Sequence, residues 1–109
     1  MVTAELESLE VVEGLRFQEI GETVIYTVTT TKSLSGPTSA AVVATDEQDD
    51  TTVTTTLFTA SNTPTVSGDV VTLKPCSGLT VNHTYRVKVT FTDGTSIHTC
   101  YLRIKGVEI

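Results

Sequence analysis

The sequence is poor in aromatic and basic residues. Its 109 residues include no tryptophan, three tyrosines and three phenylalanines, and the seven Lys and Arg residues are outnumbered by 13 Asp and Glu. The resulting net charge of −6 argues against bulk attraction to nucleic acid or to an anionic membrane. No apolar run is long enough to cross a bilayer, and the N-terminus lacks the basic and apolar segments of a signal peptide. We therefore expect neither nucleic acid nor membrane as a partner.

Cysteine is also scarce, with only Cys76 and Cys100 in the chain. Without a secretory signal, the default is that both are reduced thiols used as small hydrophobic side chains. A Cys76–Cys100 disulfide stays open as the alternative, because sequence gives no Cα separation.

The residue types needed for catalysis do not form a recognisable pattern. His98 and Cys100 lie two apart, so in a strand they share a face, but no third ligand is spaced to complete a metal site. The same spacing is a by-product of strand alternation and does not indicate a nucleophilic pair. The carboxylates of Asp46–Asp50 lack the spacing of an EF-hand calcium loop. We expect a protein that is not an enzyme and has no metal or cofactor.

Threonine and valine in alternating patterns are abundant, which favours strands because β-branched side chains fit a pleated surface. Runs at 23–31, 40–45, 52–58 and 69–74 precede a final hairpin, and turn residues such as Gly36-Pro37 and Ser67-Gly68 separate them. The run at 40–45 is apolar on both faces, which predicts a strand in the middle of a packed sheet or beneath a partner. Altogether we predict an all-β, immunoglobulin-like antiparallel β-sandwich of about seven strands over residues 22–109.

The strongest local signal is the Asp93-Gly94 pair between two alternating runs, which predicts a hairpin. If Thr92 pairs with Thr95, a core face and an outer face follow. The predicted core face carries Tyr85, Val87, Val89, Phe91, Ser96, His98, Cys100 and Leu102. The predicted outer face carries Thr84, Arg86, Lys88, Thr90, Ile97, Thr99, Tyr101 and Arg103. With Lys105, this outer face holds four of the seven basic residues.

Residues 1–21 form a separate, acidic segment that contains Glu5 and Glu13. Leu6, Leu9 and Val12 have the spacing of a short helix, but an extended arm is an equal alternative. The segment is either an arm or edge strand that reaches a neighbouring subunit, or a strand or turn packed on its own domain. Opposite charges on the arm and the hairpin predict that copies or neighbouring proteins dock one against the other. The candidate protein-binding residues are Glu5, Glu13, Arg86, Lys88, Tyr101 and Arg103.

The stretch from Gly78-Leu79 to Tyr85 resembles the tyrosine corner of immunoglobulin-like and fibronectin-like domains. In those domains the Tyr hydroxyl bonds to the backbone just upstream. Here Val81 stands where fibronectin-type domains commonly have proline, and the core tryptophan is missing.

Five segments together resemble small immunoglobulin-like proteins encoded among the head and tail morphogenesis genes of tailed bacteriophages. They are Gly21–Val28, Gly36–Val43, Val66–Leu73, Gly78–Val87 and Tyr101–Ile104, so the likeness covers roughly residues 21–105. The resemblance implies a structural component of the virion, assembled in the host cytoplasm: a capsid decoration protein, a head–tail connector or neck accessory, or a tail-associated module. It implies capsid, neck or tail proteins as partners, a homo-oligomer or symmetric assembly, and no catalytic residues. The resemblance assigns no role to the acidic N-terminal segment or to the two cysteines.

A second function, from another class, is an adhesion or ligand-binding module that recognises host-surface glycans through loop tips such as Asp46–Asp50. A glycan platform usually offers exposed aromatic rings, and the only candidates here are Tyr101, Phe17 and Phe58. This scarcity counts against the glycan hypothesis.

Overall fold

The computed structural model describes residues 2–4, 10–30, 39–59, 63–68, 70–93 and 96–109. They form two β-sheets and a single turn of helix, so the predicted all-β two-sheet sandwich is confirmed. The elements are β1 (Val2–Ala4), β2 (Glu10–Glu19), β3 (Thr27–Thr30), β4 (Ser39–Asp46), β5 (Thr51–Thr52), α1 (Thr54–Leu57), β6 (Thr65–Ser67), β7 (Val70–Thr72), β8 (Thr84–Asp93) and β9 (Ser96–Val107).

The four-stranded sheet has the order β1-β3-β7-β6, and the five-stranded sheet has the order β2-β9-β8-β4-β5. Most neighbours are antiparallel, as predicted, but β1 pairs with β3 and β2 pairs with β9 in parallel. Both exceptions come from the N-terminal segment, which gives one strand to each sheet. The immunoglobulin-like identity stays a prediction.

The core lies between the inner faces of the two sheets. One in two residues of each long strand points inward, so that Val87, Val89 and Phe91 of β8 meet Val28 and Val71 of the other sheet in one buried cluster. The remaining buried hydrophobic members are Tyr26, Val42, Ala44, Leu57, Phe58, Leu73, Cys76, Leu79, Tyr85, Cys100, Leu102 and Ile104. Burial on one face only leaves the outer face of the five-stranded sheet free to carry other side chains.

The β8–β9 hairpin forms, but the predicted register is wrong by two residues. Thr92 pairs with Ile97, not Thr95, and the last pair is Asp93 with Ser96. The pair of Asp93 with Ser96 closes the described part of the hairpin. A shift of two residues leaves every side chain on its predicted face, because strand side chains alternate with a period of two.

The predicted strand at 52–58 is wrong. Only Thr51–Thr52 pair as β5, and Thr54–Leu57 form a helical turn in which the Leu57 N–H donates to the Val53 carbonyl at 3.0 Å. Val53, Thr55 and Leu57 alternate as in a strand, but the buried residues are Thr54, Leu57 and Phe58. That i, i+3, i+4 spacing is helical.

The other predicted strands appear with different limits. The run at 23–31 gives an isolated bridge between Val24 and Cys76 and then β3, while 69–74 gives the shorter β7. Strand β6 was not predicted at all. In β4, Val42 and Ala44 are buried whereas Ala41 and Val43 are exposed, so this apolar strand is covered on one face only.

Within the N-terminal segment, residues Glu10–Glu19 form an edge strand of their own domain and run parallel to β9. Gln18 ties this strand to the opposite sheet. Its buried amide nitrogen donates to the carbonyls of Cys76 (2.9 Å) and Glu22 (3.0 Å), and its amide oxygen accepts from the Tyr26 hydroxyl at 2.8 Å. Burial raises the pKa of the Tyr26 phenol, which keeps it a hydrogen-bond donor.

The hydrogen bond expected of a tyrosine corner is present. The hydroxyl of Tyr85 accepts from the backbone N–H of Thr80 at 2.8 Å, while the ring is buried in the core. This bond closes the turn that leads into β8. Cys76 and Cys100 are both buried free thiols, so the reduced alternative is confirmed and the disulfide is not formed.

Candidate protein-binding surface

The outer face of the five-stranded sheet (hereafter the outer face) is built by the residues that alternate with the core positions of β4, β8, β9 and β2. Cross-strand pairing arranges them in rows, one of which joins Thr45, Arg86, Arg103 and Leu15. The neighbouring row on the side of the hairpin tip joins Val43, Lys88 and Tyr101. The neighbouring row on the other side joins Thr84, Lys105 and Phe17. The structure thus brings together Arg86, Lys88, Tyr101 and Arg103, as the sequence predicted.

Two of the four basic residues on this face share one carboxylate. Arg103 donates two hydrogen bonds to Glu47, from Nη2 to Oε1 at 2.8 Å and from Nε to Oε2 at 3.2 Å. The Nε of Arg86 lies 3.4 Å from the same Oε2. The hydrogen bonds from Arg103 are the main cause of a lowered Glu47 pKa, so this carboxylate is ionised at neutral pH. Glu47 therefore orients both guanidinium groups while cancelling part of their charge.

Arg86 also contacts an aromatic ring, whereas the two lysines of this face are not paired with a described acidic residue. Arg86 lies over the ring of Tyr101, with its guanidinium carbon 5.0 Å from the ring centroid, which fixes both side chains by a cation–π contact. Lys88 and Lys105 form no ion pair with any residue that the structure describes. We call Arg86, Lys88, Arg103 and Lys105 the basic belt.

Apolar side chains are exposed on the same face. Phe17 is 65% exposed and Leu15 39% exposed on β2, next to Lys105 and Arg103 in the register. Towards the hairpin tip, Ile97 is 70% exposed and Val43 of β4 42% exposed. Sequence reasoning missed Leu15 and Phe17 as part of this surface because it treated residues 1–21 as a separate arm. Leu15 and Phe17 are two residues apart, so in a strand they share a face, while Gln18 points to the opposite face. This alternation is the sequence signal of an edge strand.

An acidic zone adjoins the basic belt at the end of the sheet where β2, β4 and β9 end and β8 begins. We call Glu19, Glu22, Glu47, Asp49, Asp50 and Glu108 the acidic end. A depression of about 370 Å³, lined by Thr45, Glu47, Asp50 and Arg86, lies at the boundary between the two zones. Charge therefore changes sign along the strands, from the basic belt on the outer face to the acidic end of the sheet.

Two carboxylates of the 46–50 turn, those of Asp46 and Asp49, have partners within the domain. The buried Asp46 accepts from the Gln48 N–H at 2.9 Å and lies 2.7 Å from the Nδ1 of His83. Asp49 accepts from the Thr51 hydroxyl at 2.6 Å, which is the main cause of its lowered pKa. No group of three or more His, Cys, Asp or Glu side chains suited to a metal ion occurs in the described ranges. The geometry gives these carboxylates a structural role.

The described residues do not place the remaining predicted site residues on this surface. Glu5 lies outside the described residues, and for Glu13 the structure describes the backbone within β2 but not the side chain. Phe58, one of three aromatic candidates for a glycan platform, is buried at 2% exposure, so that prediction is wrong for Phe58. The inner-face pair His98 and Cys100 is separated from the basic belt by the sheet. His98 packs against Phe91, with ring centroids 5.8 Å apart.

No family model, curated protein or solved structure matches this chain. Across the described residues, no helix is long and apolar enough to span a membrane. The functional proposal therefore depends on the surface itself and on the resemblance of the sequence.

Proposed function

We propose that this chain is a non-enzymatic structural protein of a tailed-phage virion that binds capsid, neck or tail proteins through the outer face of its five-stranded sheet. The main support for protein binding is the composition of the outer face. A chain of net charge −6 gathers four of its seven basic residues there, beside exposed Phe17 and Leu15. Basic and apolar groups in one patch are typical of a protein-binding surface.

The virion setting is supported by the resemblance of residues 21–105 to phage head and tail proteins. A small sandwich with many copies on a symmetric particle needs only a modest interface per copy, because avidity multiplies weak contacts. The uncovered apolar side of β4, with Val43 exposed, also fits a strand that lies beneath a partner in the assembly.

Incorporation into particles tests the proposal. Protein carrying both Lys88→Glu and Lys105→Glu is compared with wild type in cells where the phage that encodes the chain assembles, and copies per purified particle are counted by quantitative mass spectrometry. We expect wild-type protein in the particles and at least a roughly tenfold loss for the double variant, since rim charges steer and orient association. These lysines are preferred to Arg86 and Arg103, whose reversal would also break their contacts with Glu47.

The control is Lys74→Glu, which makes one substitution of the same kind outside the five-stranded sheet, with half the charge change of the double variant. Particles that lack the wild-type protein would contradict the virion setting. Equal incorporation of wild type and double variant would contradict the surface, and binding to immobilised glycans that survives both lysine changes would favour the adhesion hypothesis.

A further inference from the structure

The order of charges along the outer face makes this surface complementary to itself. The basic belt occupies the rows of Lys88, Arg86 and Lys105 on β8 and β9, and the acidic end follows immediately at Glu19 and in the 47–50 turn. Successive residues of a strand are about 3.3 Å apart, so the two zones are centred roughly 10 Å from each other. We propose that in the free protein a second copy of the chain covers this surface, bound face to face about a two-fold axis, and that capsid, neck or tail proteins replace this copy in the particle.

The position of the axis follows from the sequence of zones. A two-fold axis lying in the plane of the face, perpendicular to the strands and between the Lys105 and Glu19 rows, reverses the strand direction of the second copy. It therefore places the acidic end of each copy over the basic belt of the other. Such an isologous contact closes on itself and gives a dimer, whereas a head-to-tail contact would continue into a ring or filament.

Three features of the described residues favour a second copy of the chain over an unrelated acidic protein as the partner in this contact. Glu19 and Asp50 of the acidic end adjoin the basic belt on this face, so one two-fold rotation pairs both zones. Phe17, 65% exposed beside Lys105, becomes covered in the same contact. The depression lined by Thr45, Glu47, Asp50 and Arg86 lies at the boundary, where the opposing copy supplies side chains to fill it. A charged rim around an apolar contact is the usual composition of a specific interface.

The inference rests on the proposed function, because it names the partner of the same surface, but it has its own test. Two variants of the full chain reverse one zone each. The belt variant carries Lys88→Glu and Lys105→Glu, and the end variant carries Asp50→Lys and Glu108→Lys. Neither Asp50 nor Glu108 makes a side-chain hydrogen bond or ion pair with the described residues. Lys74→Glu is the control, and thermal melting establishes that each variant is folded.

Sedimentation equilibrium at low and high salt measures the mass of each protein alone and of the two variants mixed in equal amounts. We expect wild type and Lys74→Glu to form dimers that weaken with salt, since exposed charges are screened beyond about 8 Å at physiological ionic strength. Each reversed variant alone should associate at least tenfold more weakly than wild type. The mixture should recover the dimer, because each partner now supplies the zone that the other lacks.

A wild-type protein that stays monomeric at high concentration overturns the dimer, and so does a mixture in which the two folded variants remain separate. These results are distinguishable from failure of the proposed function. If the protein is monomeric in solution but still enters particles through this face, only the dimer is contradicted. If it forms the dimer but is absent from particles, only the virion role is contradicted.

Discussion

At the scale of single residues, several positions are determined by close backbone approach. Gly106 of β9 lies against the turn before β8: its N–H donates to the His83 carbonyl at 3.0 Å and its carbonyl accepts from the Asn82 N–H at 2.8 Å. A Cβ at this position would lie 2.5 Å from the carbonyl oxygen of Thr80. Backbone at that distance cannot give way as a flexible side chain can, so only glycine fits.

We expect Gly106→Ala to lower the free energy of unfolding by about 1–3 kcal/mol, the usual cost of overpacking. Urea denaturation measures the change. Gly21→Ala is the matched control, because its Cβ would meet only the flexible carboxylate of Glu19, at 3.1 Å. An equal loss for both variants, or none for Gly106→Ala, would show that the approach of Thr80 is unimportant.

The two thiols provide a pH-dependent test at the same scale. Burial raises the pKa of Cys76 to about 12 and that of Cys100 to about 11. Unfolded thiols ionise near pH 8.5, so this contribution to stability is intact below roughly pH 8.5 and is lost as pH rises towards the folded values. Burial also raises the pKa of Tyr26, which acts in the same direction at higher pH.

We therefore expect the melting temperature to fall from about pH 8.5 upwards, and both thiols to resist iodoacetamide in the folded protein but react in denaturant. Calorimetry and mass spectrometry measure the two effects. Rapid labelling of native protein near pH 8 would contradict the buried, protonated state of the thiols.

At the scale of elements, period-two patterns were enough to predict the long strands and the inner and outer sides of the hairpin. The register of the hairpin could not be predicted from the sequence, because Asp93-Gly94 and Gly94-Thr95 are both plausible two-residue turns. The pairing of Asp93 with Ser96 in the structure decides between them. At 54–58 a single alternating run fits a strand, yet tertiary burial of Leu57 and Phe58 selects a helical turn.

The contacts of β2 were beyond sequence reasoning, because its parallel pairing with β9 joins residues about 90 positions apart. Gln18 in particular gives no signal as a buried residue, since glutamine is usually exposed. Its three hydrogen bonds add to the ladder with β9 in making β2 an integral strand rather than a free arm. Removing residues 1–21 would therefore damage the domain as well as any contact with neighbours.

We expect Gln18→Leu to destabilise the protein by about 2–6 kcal/mol, because the Tyr26 hydroxyl and the Cys76 carbonyl lose buried partners at about 1–3 kcal/mol each. Urea denaturation gives the total, and hydrogen exchange should show faster exchange in β2 than in β8. Phe17→Ser, on the exposed side of the same strand, serves as the control. A Gln18→Leu protein as stable as wild type would mean that β2 is held by its ladder with β9 alone.

At the scale of the whole molecule, the outer face differs from the rest of the surface because it combines the basic belt with exposed apolar side chains. The sequence predicted the basic half of this surface through Arg86, Lys88, Tyr101 and Arg103. It could not predict that Glu47 reaches back to hold both arginines, because the contact of Glu47 with Arg103 joins residues 56 positions apart. Nor could it place Leu15 and Phe17 beside the belt. The outer face as a whole is the surface on which the proposed function depends.

Hydroxyl-radical footprinting of this protein, free and within purified particles, tests that central claim most directly. Phe17 and Leu15 on the outer face are compared with two exposed side chains that do not belong to the outer face, Ile25 at 58% exposure and Ile109 at the C-terminus. Oxidation of Phe17 and Leu15 should be severalfold lower in particles than in the free protein measured as the monomer, at a dilution and salt concentration that dissociate the dimer, while Ile25 and Ile109 react equally in both. Protection of Ile25 and Ile109 with Phe17 and Leu15 unchanged would contradict the outer face as the binding surface.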